Sequence, residues 1–276
     1  MIVEVLESRE VFAGFTVGNL LVERIGSGGA TALSSAAFPV AVQEYLPAGG
    51  SAVQTIELPS SGANQVTDSG TATSNGYLNS FNGVLALPGY NSAAATASVA
   101  GSNTKVGTVL GTDGNVASRT LFPTGGPAAT PASPFSGNNF RSMIATGQST
   151  FYATGTASGT PNTGGVWYYD GSAFTQLSTA LTNIRNVEIY NNQLYVSSSS
   201  GSFLGISSVG TGMPTTSGQT VNVAIDMGTG ASPYGFVLFD TDTNGTLDLA
   251  YIADDRTAAG GGLQKWAFNG LSLIHI

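Results

Sequence analysis

A block of sequence recurs about every 43 or 44 residues, and that spacing limits what the chain can fold into. Asn139-Phe140-Arg141-Ser142-Met143-Ile144-Ala145 followed by Phe151-Tyr152-Ala153 aligns with Asn183-Ile184-Arg185-Asn186-Val187-Glu188-Ile189 followed by Leu194-Tyr195-Val196. The offset is 44 residues at the Arg and 43 at the Tyr. A third copy, Tyr234 to Phe239 and then Leu249 to Ala253, has lost the Arg and gained an insertion. A repeat of this length is one supersecondary unit that buries its faces on its neighbours.

Within each unit the pattern is short runs of Val, Ile, Leu, Tyr and Phe between Gly, Asn, Asp and Ser clusters, which predicts strands joined by tight turns. Asx-Gly hairpin signals stand at Thr112-Asp113-Gly114-Asn115, Tyr169-Asp170-Gly171-Ser172 and Phe268-Asn269-Gly270-Leu271, with a looser one at Ala48-Gly49-Gly50-Ser51. The most helix-like stretches, Ala93 to Ala100 and Thr179 to Asn183, are short and rich in Ser and Thr, and read as loops. Two hairpins per unit give four strands in roughly 40–50 residues, the blade of a β-propeller. The expected units are 16–60, 74–123, 138–179, 183–225 and 233–276, with Thr124 to Pro134 as a connector between blades. The fold class expected is therefore all-β, a propeller of four-stranded blades with about five visible. The first unit lacks a clear innermost strand and the last stops early, so the expectation is a ring cut short. The layout that follows is a non-native or disordered start over 1–11, one incomplete propeller over 12–270 and an artefactual tail over 271–276.

Composition removes whole classes of function. Charged residues make up 9% of the chain, against about a quarter in an average globular protein, so hydroxyls, amides and backbone do the solvating. With 16 acidic and 8 basic residues and no basic cluster, the footprint of a nucleic-acid binder is missing. The absence of Cys excludes disulfides, a thiolate nucleophile and iron–sulfur ligation. The single His, His275, stands at the chain end, where an imidazole is seldom held rigidly enough for a Ser-His-Asp or His-metal site. No run reaches the roughly 18 apolar residues of a membrane span. Glu4, Glu7 and Glu10 make the start acidic, without the basic start and apolar run of a signal peptide. The final Leu271-Ser272-Leu273-Ile274-His275-Ile276 looks like a translated sequencing adapter.

The early segments Leu20 to Gly26, Pro39 to Tyr45, Val53 to Pro59 and Gly89-Tyr90 resemble uncharacterised secreted bacterial propeller-like proteins. That resemblance implies a propeller and an extracellular or cell-surface location, and no particular reaction. A second resemblance is local. Asp240-Thr241-Asp242-Thr243-Asn244-Gly245-Thr246-Leu247-Asp248 is similar to the calcium loop of integrin-type FG-GAP repeats through Asp240, Asp242, Asn244 and Asp248. Hard cations such as Ca²⁺ take six to eight oxygens, and a D-x-D-x-N-G-x-x-D loop aims alternate side chains at one centre. The competing reading is a polar hairpin turn, because tight turns select the same residues. An EF-hand fits less well, since position 12 from Asp240 is Tyr251 rather than Glu.

Arg141 and Arg185 occupy equivalent repeat positions, where they either contact an anionic ligand in a central channel or brace neighbouring carbonyls in each blade. Asp254-Asp255 is a poor acid–base dyad, because adjacent strand residues point to opposite faces. Trp167, Tyr168 and Tyr169, with Trp266 at the matching strand, read as packing between blades, and Gly260-Gly261-Gly262 as a loop. The function expected from these features is a non-catalytic exported binding, adhesion or surface-scaffold module for a glycan or cell-surface component. The alternative is a propeller enzyme, a glycoside hydrolase or lyase, acting on polysaccharide through carboxylates with calcium assistance. A β-solenoid adhesin or ice-binding surface is disfavoured by the irregular repeat spacing.

Overall fold

The computed structural model describes residues 14–29, 31–257, 259–268 and 273–275. The expected non-native start over 1–11 lies outside the described residues, as do 271–272 and 276 of the expected tail. Within the described residues the chain is all β, with one short 3-10 turn at Val99–Gly101 and no α-helix.

The expected units 138–179, 183–225 and 233–276 each become a four-stranded antiparallel meander. The first is β9 (Phe140–Ala145), β10 (Phe151–Gly155), β11 (Gly165–Tyr169) and β12 (Phe174–Gln176). The second is β13 (Val187–Tyr190), β14 (Gln193–Ser200), β15 (Phe203–Val209) and β16 (Val221–Asp226). The third is β17 (Pro233–Phe239), β18 (Leu249–Asp254), β19 (Gly262–Phe268) and β20 (Leu273–His275). The expected turns at 112–115 and 169–172 join paired strands, and each Asp accepts hydrogen bonds from backbone N–H two or three residues on. Asn269 and Gly270 of the third turn lie outside the described residues, although β19 and β20 on either side of it pair. Asn191 and Asn192, with φ of 46° and 57°, close β13 onto β14 as a two-residue turn with both centres left-handed, which matches the twist of its strands.

The expected first two units are corrected. Residues 20–121 form one eight-stranded sheet from β1 (Leu20–Ile25), β2 (Ala37–Tyr45), β3 (Gln54–Glu57), β4 (Thr67–Ser69), β5 (Asn79–Phe81), β6 (Val84–Tyr90), β7 (Lys105–Leu110) and β8 (Val116–Leu121). The reason is the length of β2. Its first three residues pair with β4, and the rest pair with β1 on one side and β3 on the other, so one strand knits both halves together.

Cores form where one sheet faces the next in chain order. Ala86 and Val109 of the first sheet pack against Phe140, Met143 and Phe151 of the second. Ile144, Tyr152 and Val166 of the second meet Val187, Leu194 and Val196 of the third. Ile206 and Ile225 of the third meet Phe236, Ala250, Ile252 and Trp266 of the fourth. At about 25 cal/mol per Å² of buried apolar surface these interfaces supply most of the drive to fold. Trp167 and Trp266 are both buried on the third strand of their sheets, as packing residues.

Candidate active site

β5, β9 and β13, from three successive sheets, lie side by side, which brings residues distant in the chain together near their starts. Tyr77, just before β5, forms a parallel bridge with Ser142 on β9. The side-chain amide of the buried Asn79 reaches Ser142 Oγ at 2.8 Å, Met143 O at 3.1 Å, Asn186 Oδ1 at 3.1 Å and Val187 O at 3.0 Å. Ser142 Oγ donates to Asn186 Oδ1 at 2.7 Å.

The two repeat arginines extend this arrangement in register. Arg141 Nη1 donates to Asn183 Oδ1 at 2.5 Å and Ile184 O at 3.2 Å, just ahead of β13. Arg185 Nη1 donates to Ser232 Oγ at 2.7 Å and Pro233 O at 3.2 Å, at the start of β17. Each therefore ties its own sheet to the start of the next. The rest of each fork is free of these ties: Arg141 Nε is buried without a hydrogen-bond partner, and the Arg185 guanidinium lies over the Tyr234 ring at 4.1 Å.

A cleft of about 440 Å³ opens at this end, lined by Thr73, Tyr234, Ala253, Asp254, Asp255 and Gly262. Burial raises the Tyr77 phenol above its ordinary range; Tyr234 and Asp255 add to that effect while Arg185 and Arg141 oppose it. Those five side chains are thus within electrostatic reach of one another. Burial, with Arg185 nearby, pulls the Arg141 guanidinium down to about 10. Asp254 is committed elsewhere: its carboxylate accepts from Ser232 N, Arg256 N and Nε, and Gln264 Nε2, and it forms a 2.6 Å ion pair with Arg256 Nη2. Asp255, just past the end of β18, is exposed on the cleft. A larger hollow of about 580 Å³ between residues 25–39 and Ala94-Ala95 is lined by no titratable side chain.

The expected calcium loop is compact. One carboxylate oxygen from each of Asp240, Asp242 and Asp248 falls within 4.8 Å of the others, so these three can converge on a cation. Asn244 of the expected set is hydrogen-bonded within the loop: its Oδ1 accepts from Thr246 N at 2.8 Å and from the Thr246 hydroxyl, and its Nδ2 donates to Asp242 Oδ2 at 2.8 Å. Burial opposes ionisation of Asp240 slightly, yet hydrogen bonds from Gly245 N and its neighbours hold the carboxyl below its ordinary value. The donor set is therefore charged and oxygen-only, which suits a hard cation.

Reading the sequence found Arg141 and Arg185 through the repeat, and the acidic loop through its local spacing. It missed Tyr77, Tyr234 and Asp255 as a group. Tyr234 stands in the third repeat copy, a weak signal, whereas Tyr77 falls where the repeat is broken and carries none.

No family model matches the chain, and no curated protein matches it. Among solved structures it is similar to a protein of Bacteroides uniformis ATCC 8492 provisionally named a 6-phosphogluconolactonase, at 13% identity and a TM-score of 0.43, over 94% of this chain and 67% of that one. The expected non-catalytic binding, adhesion or scaffold module is corrected. The fold brings Tyr234 and Asp255 to the lining of one cleft and the Arg185 guanidinium over the Tyr234 ring, a convergence that linear spacing had hidden.

Proposed function

We propose that the chain is a β-propeller enzyme that cleaves an acidic polysaccharide by β-elimination at the cleft formed by the strand starts. The propeller reading is supported by sheets that face one another in chain order and by β5, β9 and β13, from successive sheets, lying side by side. The enzyme reading is carried by one observation: Tyr234 and Asp255 line the cleft, and the Arg185 guanidinium lies 4.1 Å over the Tyr234 ring.

A uronate sugar presents a carboxylate next to an acidic C–H. The free edges of Arg141 and Arg185 neutralise that carboxylate and stabilise the charge that develops when the proton leaves. Tyr234 in its phenolate form takes the proton and becomes the neutral phenol. Tyr77, which burial keeps protonated, donates to the leaving glycosidic oxygen as the C–O bond breaks. The products are a sugar with a new carbon–carbon double bond and a new reducing end. Action on such a polymer goes with export, and the low charge of the chain suits a protein working outside the cell.

The test incubates the purified chain with polygalacturonate, alginate and a neutral glucan, and follows ultraviolet absorbance of unsaturated ends together with reducing ends. Both signals are expected with a uronate polymer and neither with the glucan, and Tyr234→Phe is expected to lower the rate by about 10²–10⁴. Reducing ends without unsaturation would replace elimination by hydrolysis, and no product from any polymer would remove the reading.

We further propose that the Asp240 to Asp248 loop holds Ca²⁺ through Asp240, Asp242 and Asp248. Three convergent carboxylate oxygens support this. Calcium at about 100 times its dissociation constant is expected to add roughly 2.7 kcal/mol to stability. Asp242→Ala is expected to abolish that gain in a thermal melt; if the gain persists, the ion sits elsewhere.

A further inference from the structure

Glu23 on β1 and Asp68 on β4 form a buried carboxyl pair for which the cleft chemistry has no use. Both Glu23 carboxylate oxygens are sealed from solvent and have no hydrogen-bond partner. Asp68 is fully buried; its Oδ1 accepts from Ser69 N at 2.6 Å and Asn75 Nδ2 at 3.0 Å, while Oδ2 has no partner. The charge of Asp68 acts directly on Glu23.

The segment 70–77 closes over this pair. Gly76, at φ 77°, packs so closely that a Cβ there would meet the Glu23 carboxylate at 3.3–3.4 Å. Asn75 Nδ2 bridges Asp68 to the Tyr90 hydroxyl at 3.2 Å, and Asn75 Oδ1 accepts from Asn139 Nδ2 at 2.9 Å. The same segment carries Thr73 to the cleft and ends at Tyr77.

The charged and titratable groups around the pair leave it uncompensated. On β1, Arg24 is turned to Glu57 and Gly26 O. On β6, Tyr90 is a neutral phenol whose own ionisation burial opposes, with the Asp68 charge adding to that. On β7, Lys105 Nζ lies 5.9 Å from the Tyr90 ring centre and donates to Ser102 O. On β9, Arg141 is tied to Asn183 and Ile184. Among the described residues no cation pairs with either carboxyl. Two ionised carboxylates cannot share a dry space at bearable cost.

We propose that Glu23 and Asp68 share a proton in the native protein, and that losing it releases segment 70–77 as a pH-sensitive latch on the cleft. Burial raises both groups, Glu23 well above the ordinary carboxylate range. For acids whose folded pKa is raised, the associated stability is complete below the unfolded value of about 4 and is lost as pH rises through the folded values.

The inference rests on the buried pair and not on the polysaccharide reading, so its test needs no substrate. The full chain, Glu23→Gln and Asp68→Asn are unfolded in urea from about pH 5 to about pH 9 in the presence of chelator, with amide exchange followed in 70–77. The wild-type unfolding constant is expected to rise by up to about tenfold per pH unit while the native pair keeps the proton that the unfolded chain has lost, and to level off once the shared proton leaves, with exchange protection of 70–77 falling at that point. Either amide variant is expected to flatten that slope and keep the protection, and Asp68→Asn decides if Glu23→Gln does not fold. Equal slopes in wild type and variants would overturn the proposal. So would alkaline stability restored to the wild type alone by a divalent cation, because the pair would then hold a metal ion rather than a proton.

Discussion

Asn79→Ala is expected to lower the free energy of unfolding by about 3 kcal/mol, from the loss of net hydrogen bonds worth about 1 kcal/mol each and the orphaning of buried acceptors at about 1–3 kcal/mol. The site allows little relief. Asn79 is 5% exposed, and its amide faces Ser142 Oγ, Met143 O, Asn186 Oδ1 and Val187 O, groups drawn from the two sheets that follow its own. Two amide protons serve four acceptors, so the side chain is the donor around which the strand starts are organised. Asn79→Asp keeps the shape but turns the donor into a charged acceptor aimed at acceptors, and is expected to cost more than alanine. Urea unfolding checks both, with the exposed Asn222→Ala as a control expected to stay within about 0.5 kcal/mol of wild type. Equal stability of Asn79→Asp and wild type would mean that the starts are held by packing alone.

This network marks the limit of what the sequence could say. Hairpin turns at 112–115 and 169–172 were legible because a tight turn selects its residues locally, and the three meanders because two share a clear repeat and the third a looser copy of it. The first hundred residues were not, since β2 is long enough to pair with three strands and nothing in its composition announces that. The acidic loop was legible as a cluster because its carboxylates are neighbours in the chain. Tyr77, Tyr234 and Asp255 meet only because successive strand starts converge. Glu23 was the least legible of all: between Val22 and Arg24 it reads as a solvated strand residue, yet the loop around Gly76 seals its carboxylate.

Replacing either repeat arginine by methionine is expected to destabilise the protein by about 1–3 kcal/mol, because methionine fills the stem's volume but leaves partly buried acceptors unpaired. For Arg185 these are Ser232 Oγ and Pro233 O, and the stacking on Tyr234 goes as well. For Arg141 they are Asn183 Oδ1 and Ile184 O. Lysine restores the charge without the planar fork and is expected to recover less than half of the loss. The two ties are not independent, since Arg141 grips residues that immediately precede Arg185 in the chain. The double methionine variant is therefore expected to lose less than the two single losses combined, by about 0.5–3 kcal/mol. Chemical denaturation of the four proteins in this cycle measures that coupling. Stability preserved in both single variants, with binding of a uronate oligosaccharide lost, would assign the guanidiniums to the ligand alone. Loss of both stability and binding is the result expected from the proposed function, because the guanidiniums that brace the next sheet are the groups proposed there to meet the uronate.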